Sequence, residues 1–186
     1  MKVLIVVDMQ NDFIDGALGT VEAAGIVDKV AERIKNSEDE LILFTKDTHQ
    51  QDYLYTSEGK RLPVPHCIEG TTGWQIRDSI LDAWRENGST VRISDLNENT
   101  FIKPIFGSFD LVEFLKSRAA DITKIEILGL CTDICVVSNA IMIKNAIPDV
   151  EIVVNADCCA GVTPQSHSEA LNVMKMCHID IIDTVS

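Results

Sequence analysis

Cys135 stands where an apolar run, Ile125-Glu126-Ile127-Leu128-Gly129-Leu130, gives way through Cys131-Thr132-Asp133-Ile134 to a helical pattern. A strand ending in a turn that opens a helix leaves backbone N–H groups without intrahelical partners, and these, with the helix dipole, favour negative charge. A thiol there can ionise, and the thiolate is the nucleophilic form of cysteine. The opposing reading is that unpaired cysteine is among the most buried residue types and often only fills space. Its company decides. Cysteine hydrolysis needs a base for the thiol and a donor site for the oxyanion. Asp8, directly after Val3–Val7, can be that base if burial or neighbours tune it. Lys103 lies in a mostly apolar segment, Phe101-Ile102-Lys103-Pro104-Ile105-Phe106, where a lysine either snorkels to solvent or has its charge paired. Asp47-x-His49 with His66 downstream supplies two imidazoles and a carboxylate, a set able to hold zinc, iron or manganese with open positions. Taken bare, that set could equally be polar loop residues.

Residues so far apart in sequence need a scaffold to meet. Apolar, β-branched runs alternate with helical patterns, the signature of a parallel sheet covered by helices on both faces. The predicted strands are Val3–Val7, Leu41–Thr45, Thr90–Ile93, Lys124–Leu128, Glu151–Asn155 and Ile179–Ile182. Between them Ile26, Val27, Val30, Ala31 and Ile34 recur at helical spacing, as do Ile76, Ile80, Leu81 and Trp84. Leu111, Val112 and Leu115 form a shorter stripe, and Ala170, Val173, Met174 and Cys177 the last. Thr163-Pro164 reads as an N-cap with proline at the first helical position. The segment from Asp133 to Asn145 is apolar on most sides, which predicts a buried helix, covered in part by another subunit of a homo-oligomer. Ligands of open parallel sheets bind at the carboxyl ends of the strands. Those ends, at Asp8, Asp47, near Cys135 and at Asp157, outline one cleft, although Asp at a strand end is often only a turn former. Lys46 to Gly73 lacks periodicity, and an ordered loop of that length is usually functional.

Composition narrows the classes. The 186 residues suit a single domain over 1–186, long enough to bury about 70% of the surface its unfolded form exposes. A net charge of −13 argues against nucleic acid and acidic membranes, which need a Lys/Arg surface. No apolar stretch approaches the length of a membrane span. Met1-Lys2 leads straight into Val3–Val7 with no small-residue cleavage site, so the expectation is a cytoplasmic protein. Cys67, Cys131, Cys135, Cys158, Cys159 and Cys177 match no zinc-ribbon or CxxC spacing, and a reducing cytosol does not require them to pair.

Three segments in order, Asp8-Met9-Gln10-Asn11-Asp12-Phe13, the Lys103 segment, and Gly129-Leu130-Cys131-Thr132-Asp133-Ile134-Cys135-Val136, resemble the signatures of the isochorismatase-like cysteine hydrolases. Pro65-His66-Cys67-Ile68-Glu69-Gly70 and Asp157-Cys158-Cys159-Ala160-Gly161-Val162-Thr163-Pro164 with His167 resemble the nicotinamidase (pyrazinamidase) branch, so the likeness covers nearly the whole chain. The resemblance implies a Rossmann-like, six-stranded parallel sheet and a triad of Asp8, Lys103 and Cys135. In family terms Cys135 attacks a carboxamide carbon, Asp8 shuttles the proton and Lys103 orders both. Backbone N–H groups of Cys131 and Cys135 hold the oxyanion, and a cis peptide joins Leu130 to Cys131. It implies a substrate pocket of Phe13, Leu18 and Trp74. It also implies one divalent metal, zinc first and iron or manganese otherwise, on Asp47, His49 and His66, with Glu58 as a candidate fourth ligand. That metal takes the pyridine nitrogen directly or through a bound water.

The activity so implied is nicotinamide plus water to nicotinate plus ammonia. The alternative within the class is another small carboxamide or ureido substrate. Vinyl-ether hydrolysis is disfavoured, since it does not need the cysteine. A redox or metal-sensing protein would want a resolving thiol in CxxC spacing, and a catalytically dead module would have lost Asp8, Lys103 or Cys135. Thr48, where the family often has an aromatic, and Gly16-Ala17, where it commonly has Gly-Gly, bear on the ring pocket and hence on the substrate.

Overall fold

The computed structural model describes residues 1–37, 40–88 and 95–183. The chain runs β1 (Lys2–Val7), α1 (Asn11–Ile14), α2 (Val21–Lys35), β2 (Glu40–Asp47), α3 (Asp78–Glu86), β3 (Thr100–Lys103), α4 (Phe109–Ser117), β4 (Lys124–Leu130), α5 (Val137–Ala146), β5 (Glu151–Ala160), α6 (Pro164–Met176) and β6 (Asp180–Ile182). All neighbouring strands pair in parallel, in the order β3-β2-β1-β4-β5-β6. That doubly wound order reverses direction between β1 and β4, and ligands of such sheets bind beside the reversal. Asp8 follows β1 and Cys135 follows β4, so the topology itself brings base and thiol together.

Helices α2 and α3 pack on each other, with α2 also lying over β4 and β5, while α4, α5 and α6 pack in succession elsewhere on the sheet. Covered strands have no face left for water, which is why Val3–Val7 reads as an unbroken apolar run and is buried throughout. The Thr20 hydroxyl accepts from Ala23 N at 3.0 Å to start α2, and Ala23, Ile26, Val30 and Ile34 then fall on its buried stripe. Gly129 lies at φ +116° with a hypothetical Cβ only 2.2 Å from Val7 O, so β1 and β4 approach closely just before their carboxyl ends. No helix among the described residues is long and apolar enough to cross a membrane.

Several expectations need correction. The third strand is Thr100–Lys103, paired with Phe44–Asp47, whereas the expected Thr90–Ile93 lies outside the described residues. The helix expected from Asp133 begins at Val137, after a wider five-residue π-type turn, Thr132–Val136. In α6, Ala170 and Met174 are buried but Val173 and Cys177 are exposed, because the stripe facing the sheet is narrower than the apolar pattern. Strand β5 continues past Asn155 to Ala160, so Asp157 is not a strand end; its carboxylate lies 3.6 Å from Lys29 Nζ on α2.

Candidate active site

Four strand ends deliver the polar cluster. Asp8 leaves β1 at φ +45°, a left-handed conformation that Asp tolerates better than most residues. Its Oδ1 accepts the Thr45 hydroxyl at 2.7 Å, and its Oδ2 lies 2.7 Å from Lys103 Nζ. The same ammonium lies 3.2 Å from Asp47 Oδ1 and 3.4 Å from Cys135 Sγ. Lys103 is thus no snorkelling lysine: it is 1% exposed, and a buried cation persists only when paired, here by Asp8 and Asp47.

The electrostatics correct the expectation of an easily ionised thiol. Burial pushes the Cys135 thiol well above its ordinary range and Asp8 adds to this, outweighing the opposing charge of Lys103. Burial likewise pushes the Asp8 carboxyl up against the pull of Lys103. For Lys103 burial acts downward, but the Asp8 and Asp47 carboxylates beside it win and hold it protonated. The resting cluster therefore keeps the proton on sulfur, which lies 3.4 Å from Lys103 Nζ, and the Asp8 carboxylate on that same ammonium is the nearby base able to receive it.

Asp47 turns its other oxygen away from the triad. Oδ2 lies 2.9 Å from His49 Nε2 and 3.5 Å from His66 Nε2. One ligand atom each from Asp47, His49 and His66 falls within a 4.8 Å cluster, and all three residues are buried. His66 Nδ1 donates to Val64 O at 2.8 Å, which leaves the Nε2 lone pair facing the cluster. His49 Nε2 is buried without a well-aligned hydrogen bond, as a nitrogen meant for a metal would be. Two imidazoles and a carboxylate suit a divalent cation, so the residues fit the group expected of them. Glu58 Oε1 stands farther off, 3.8 Å from His49 Nε2 and 4.0 Å from His66 Nε2.

The long loop is ordered by this cluster. His49 N donates to Cys67 O and Glu69 N to His49 O, making a short parallel bridge, and buried Tyr53 packs its ring 4.6 Å from His49 and 5.0 Å from His66. Asp12 Oδ2 accepts from Cys67 N at 2.7 Å, tying the loop to α1.

The model of the isochorismatase domain matches residues 2–186. The chain belongs to the isochorismatase family. Among solved members, this isochorismatase-family chain is similar to the pyrazinamidase/nicotinamidase of Streptococcus mutans UA159, 27% identical over 98% of this chain and 100% of that one at a TM-score of 0.80. It is also similar to nicotinamidase PncA of Bacillus subtilis, 30% identical over 98% and 99% at 0.76. A third is the pyrazinamidase of Pyrococcus horikoshii, solved in complex with zinc, 27% identical over 98% and 99% at 0.74. The expected cis peptide, Leu130-Cys131, is present.

Of the expected pocket residues, Phe13 sits beside the histidines, 5.5 Å from the His66 ring. Leu18 is partly buried against the core. Lys46 Nζ lies 3.0 Å above the Trp74 ring, whose Nε1 donates to Thr48 Oγ1, between Asp47 and His49 in sequence, at 2.8 Å. Lys46 and Trp74 line a groove of about 410 Å³ whose walls include none of Asp8, Lys103 and Cys135. Thr48, where the family often has an aromatic, thus accepts the indole N–H.

Sequence reading gave no role to three buried residues that frame the site. Thr45 bonds Asp8. Gln10 grips Asp47 through both its backbone N and O at 2.8 Å. Asn139 donates to Cys135 O at 2.8 Å and accepts from Ser108 N at 2.9 Å, joining the nucleophile turn to the start of α4. Gln10 lies within the segment 8–13 that resembles the family; Thr45 and Asn139 carry no sequence signal beyond polarity in an apolar setting.

Proposed function

We propose that the chain is an amidohydrolase that converts nicotinamide and water to nicotinate and ammonia. One observation carries the chemistry: a single buried ammonium, Lys103 Nζ, lies 2.7 Å from Asp8 and 3.4 Å from Cys135. The similarity to enzymes named nicotinamidase and pyrazinamidase supports the substrate. Cys135 Sγ attacks the carboxamide carbon as its proton passes to Asp8, and the oxyanion is held by the N–H groups of Cys131 and Cys135. Asp8 returns the proton to the amide nitrogen, the C–N bond breaks and ammonia leaves a thioester on Cys135. Asp8 then takes a proton from water, which attacks the thioester; collapse releases the acid, and the sulfur recovers its proton from Asp8.

Asp47, His49 and His66 would hold one divalent cation, with Glu58 in reach as a fourth ligand. When bound, that cation supplies a Lewis-acid centre for the pyridine nitrogen; zinc suits the two imidazoles and carboxylate, and a similar protein was solved with it. Phe13 forms the wall beside the ring. The deciding experiment is ammonia release from nicotinamide, pyrazinamide and non-aromatic amides with metal analysis on the same sample. The reading requires turnover of the two aromatic amides and stoichiometric metal. Faster turnover of a non-aromatic amide would refute it.

A further inference from the structure

The nucleophile turn is clamped from outside the triad. His167 Nδ1 lies 2.8 Å from Thr132 Oγ1, and Thr132 is fully buried between Cys131 and Cys135 in sequence. In the reverse direction the Asp133 carboxylate accepts from Val162 N at 3.1 and 3.2 Å. His167 is itself rigidly placed: it lies in the first turn of α6, whose start is fixed by reciprocal Thr163–Ser166 capping. Gly161 permits the close approach, since a Cβ there would meet His167 backbone and Cβ atoms at 2.9 to 3.0 Å.

We propose that His167 is a positioning residue for the hydrolysis, its Nδ1 holding Thr132 and through it the turn that presents Cys135 Sγ and the oxyanion N–H groups. The inference rests on Cys135 being the nucleophile. Burial pushes the imidazole below its ordinary range against the charge of Asp133, so the ring is neutral and Nδ1 can accept the Thr132 hydroxyl. Thr132 belongs to neither the triad nor the metal cluster, so losing the bond loosens the geometry of attack while the ring-binding side of the site stays intact.

Asparagine can place a polar atom near the Nδ1 position and glutamine near Nε2, which separates the bond from the bulk. Rates of Cys135 alkylation by iodoacetamide, followed on its peptide by mass spectrometry, and ammonia release from nicotinamide are measured with melting temperature and metal content. For His167→Ala and His167→Gln, kcat and the alkylation rate fall about three- to tenfold, the scale of one hydrogen bond, with KM nearly unchanged. His167→Asn restores both. Thr132→Val matches His167→Ala, and the double variant falls no further. Wild-type rates in His167→Ala, equal values for the Asn and Gln variants, or additive losses would each overturn the proposal. If His167→Ala does not fold, the Asn and Gln pair decides. A wild-type protein inert toward nicotinamide would instead count against the substrate, and alkylation would still test the clamp.

Discussion

At the scale of single residues the site depends on one proton shared between two buried acids. Cys135→Ala removes the sulfur that forms the thioester, so ammonia release falls by about three orders of magnitude or more, while the circular dichroism spectrum and metal content stay unchanged. Asp8 accepts the thiol proton only when ionised, and burial raises its pKa. The acid limb of kcat/KM is therefore displaced above the ordinary carboxylate range. Activity is present at higher pH and lost as pH falls through that raised value, to be read from a pH–rate profile with metal saturation verified at each point. Asp8, Lys103 and Cys135 were legible in the sequence because ionisable or nucleophilic side chains in apolar segments are anomalies that demand partners. Thr45 and Asn139 were not. A threonine in a strand or an asparagine in a helix is ordinary, and only the fold reveals that Thr45 bonds Asp8 and Asn139 bonds the Cys135 carbonyl.

At the scale of elements, α2 is fastened to the sheet by an ionic network as well as by its apolar stripe. Arg33 donates to Glu126 Oε1 at 3.0 Å and Oε2 at 2.7 Å and to Glu40 Oε2 at 2.9 Å, and Asn155 adds a bond to Glu126 at 3.0 Å. Removing one partner leaves a buried charge, so Arg33→Met should cost about 3–5 kcal/mol by urea denaturation, whereas Arg33→Met with Glu126→Leu costs less than that single change. A double variant less stable than Arg33→Met would contradict this account. The strands around β1 and β4 were legible because burial on both faces writes long apolar runs. The edge strand Thr100–Lys103 was not legible, since it is short and only its pairing with β2 distinguishes an edge strand of this length, while the expected Thr90–Ile93 lies outside the described residues. The Lys46–Gly73 loop gave no periodic signal because its order comes from His49, His66 and Tyr53 converging, a relation between distant positions.

At the scale of the whole molecule, the charge of −13 acts differently on substrate and product. Nicotinamide is neutral and is not steered, so its kcat/KM should change less than about twofold between low and moderate salt. Nicotinate is an anion repelled by the same field, so its inhibition constant should tighten as salt screens that repulsion. Steady-state kinetics across a salt series reads both, and equal salt responses would remove the argument.

Asp47 gives one oxygen to Lys103 and the other to the two histidines. Two sites built on one carboxylate share a single point of failure. His49→Ala should deplete metal and leave Cys135 alkylation near the wild-type rate, whereas Asp47→Ala should depress both. On the proposed reading, the ring anchor can be exchanged residue by residue from the histidine side, whereas a change at position 47 also removes a partner of the ammonium beside Cys135.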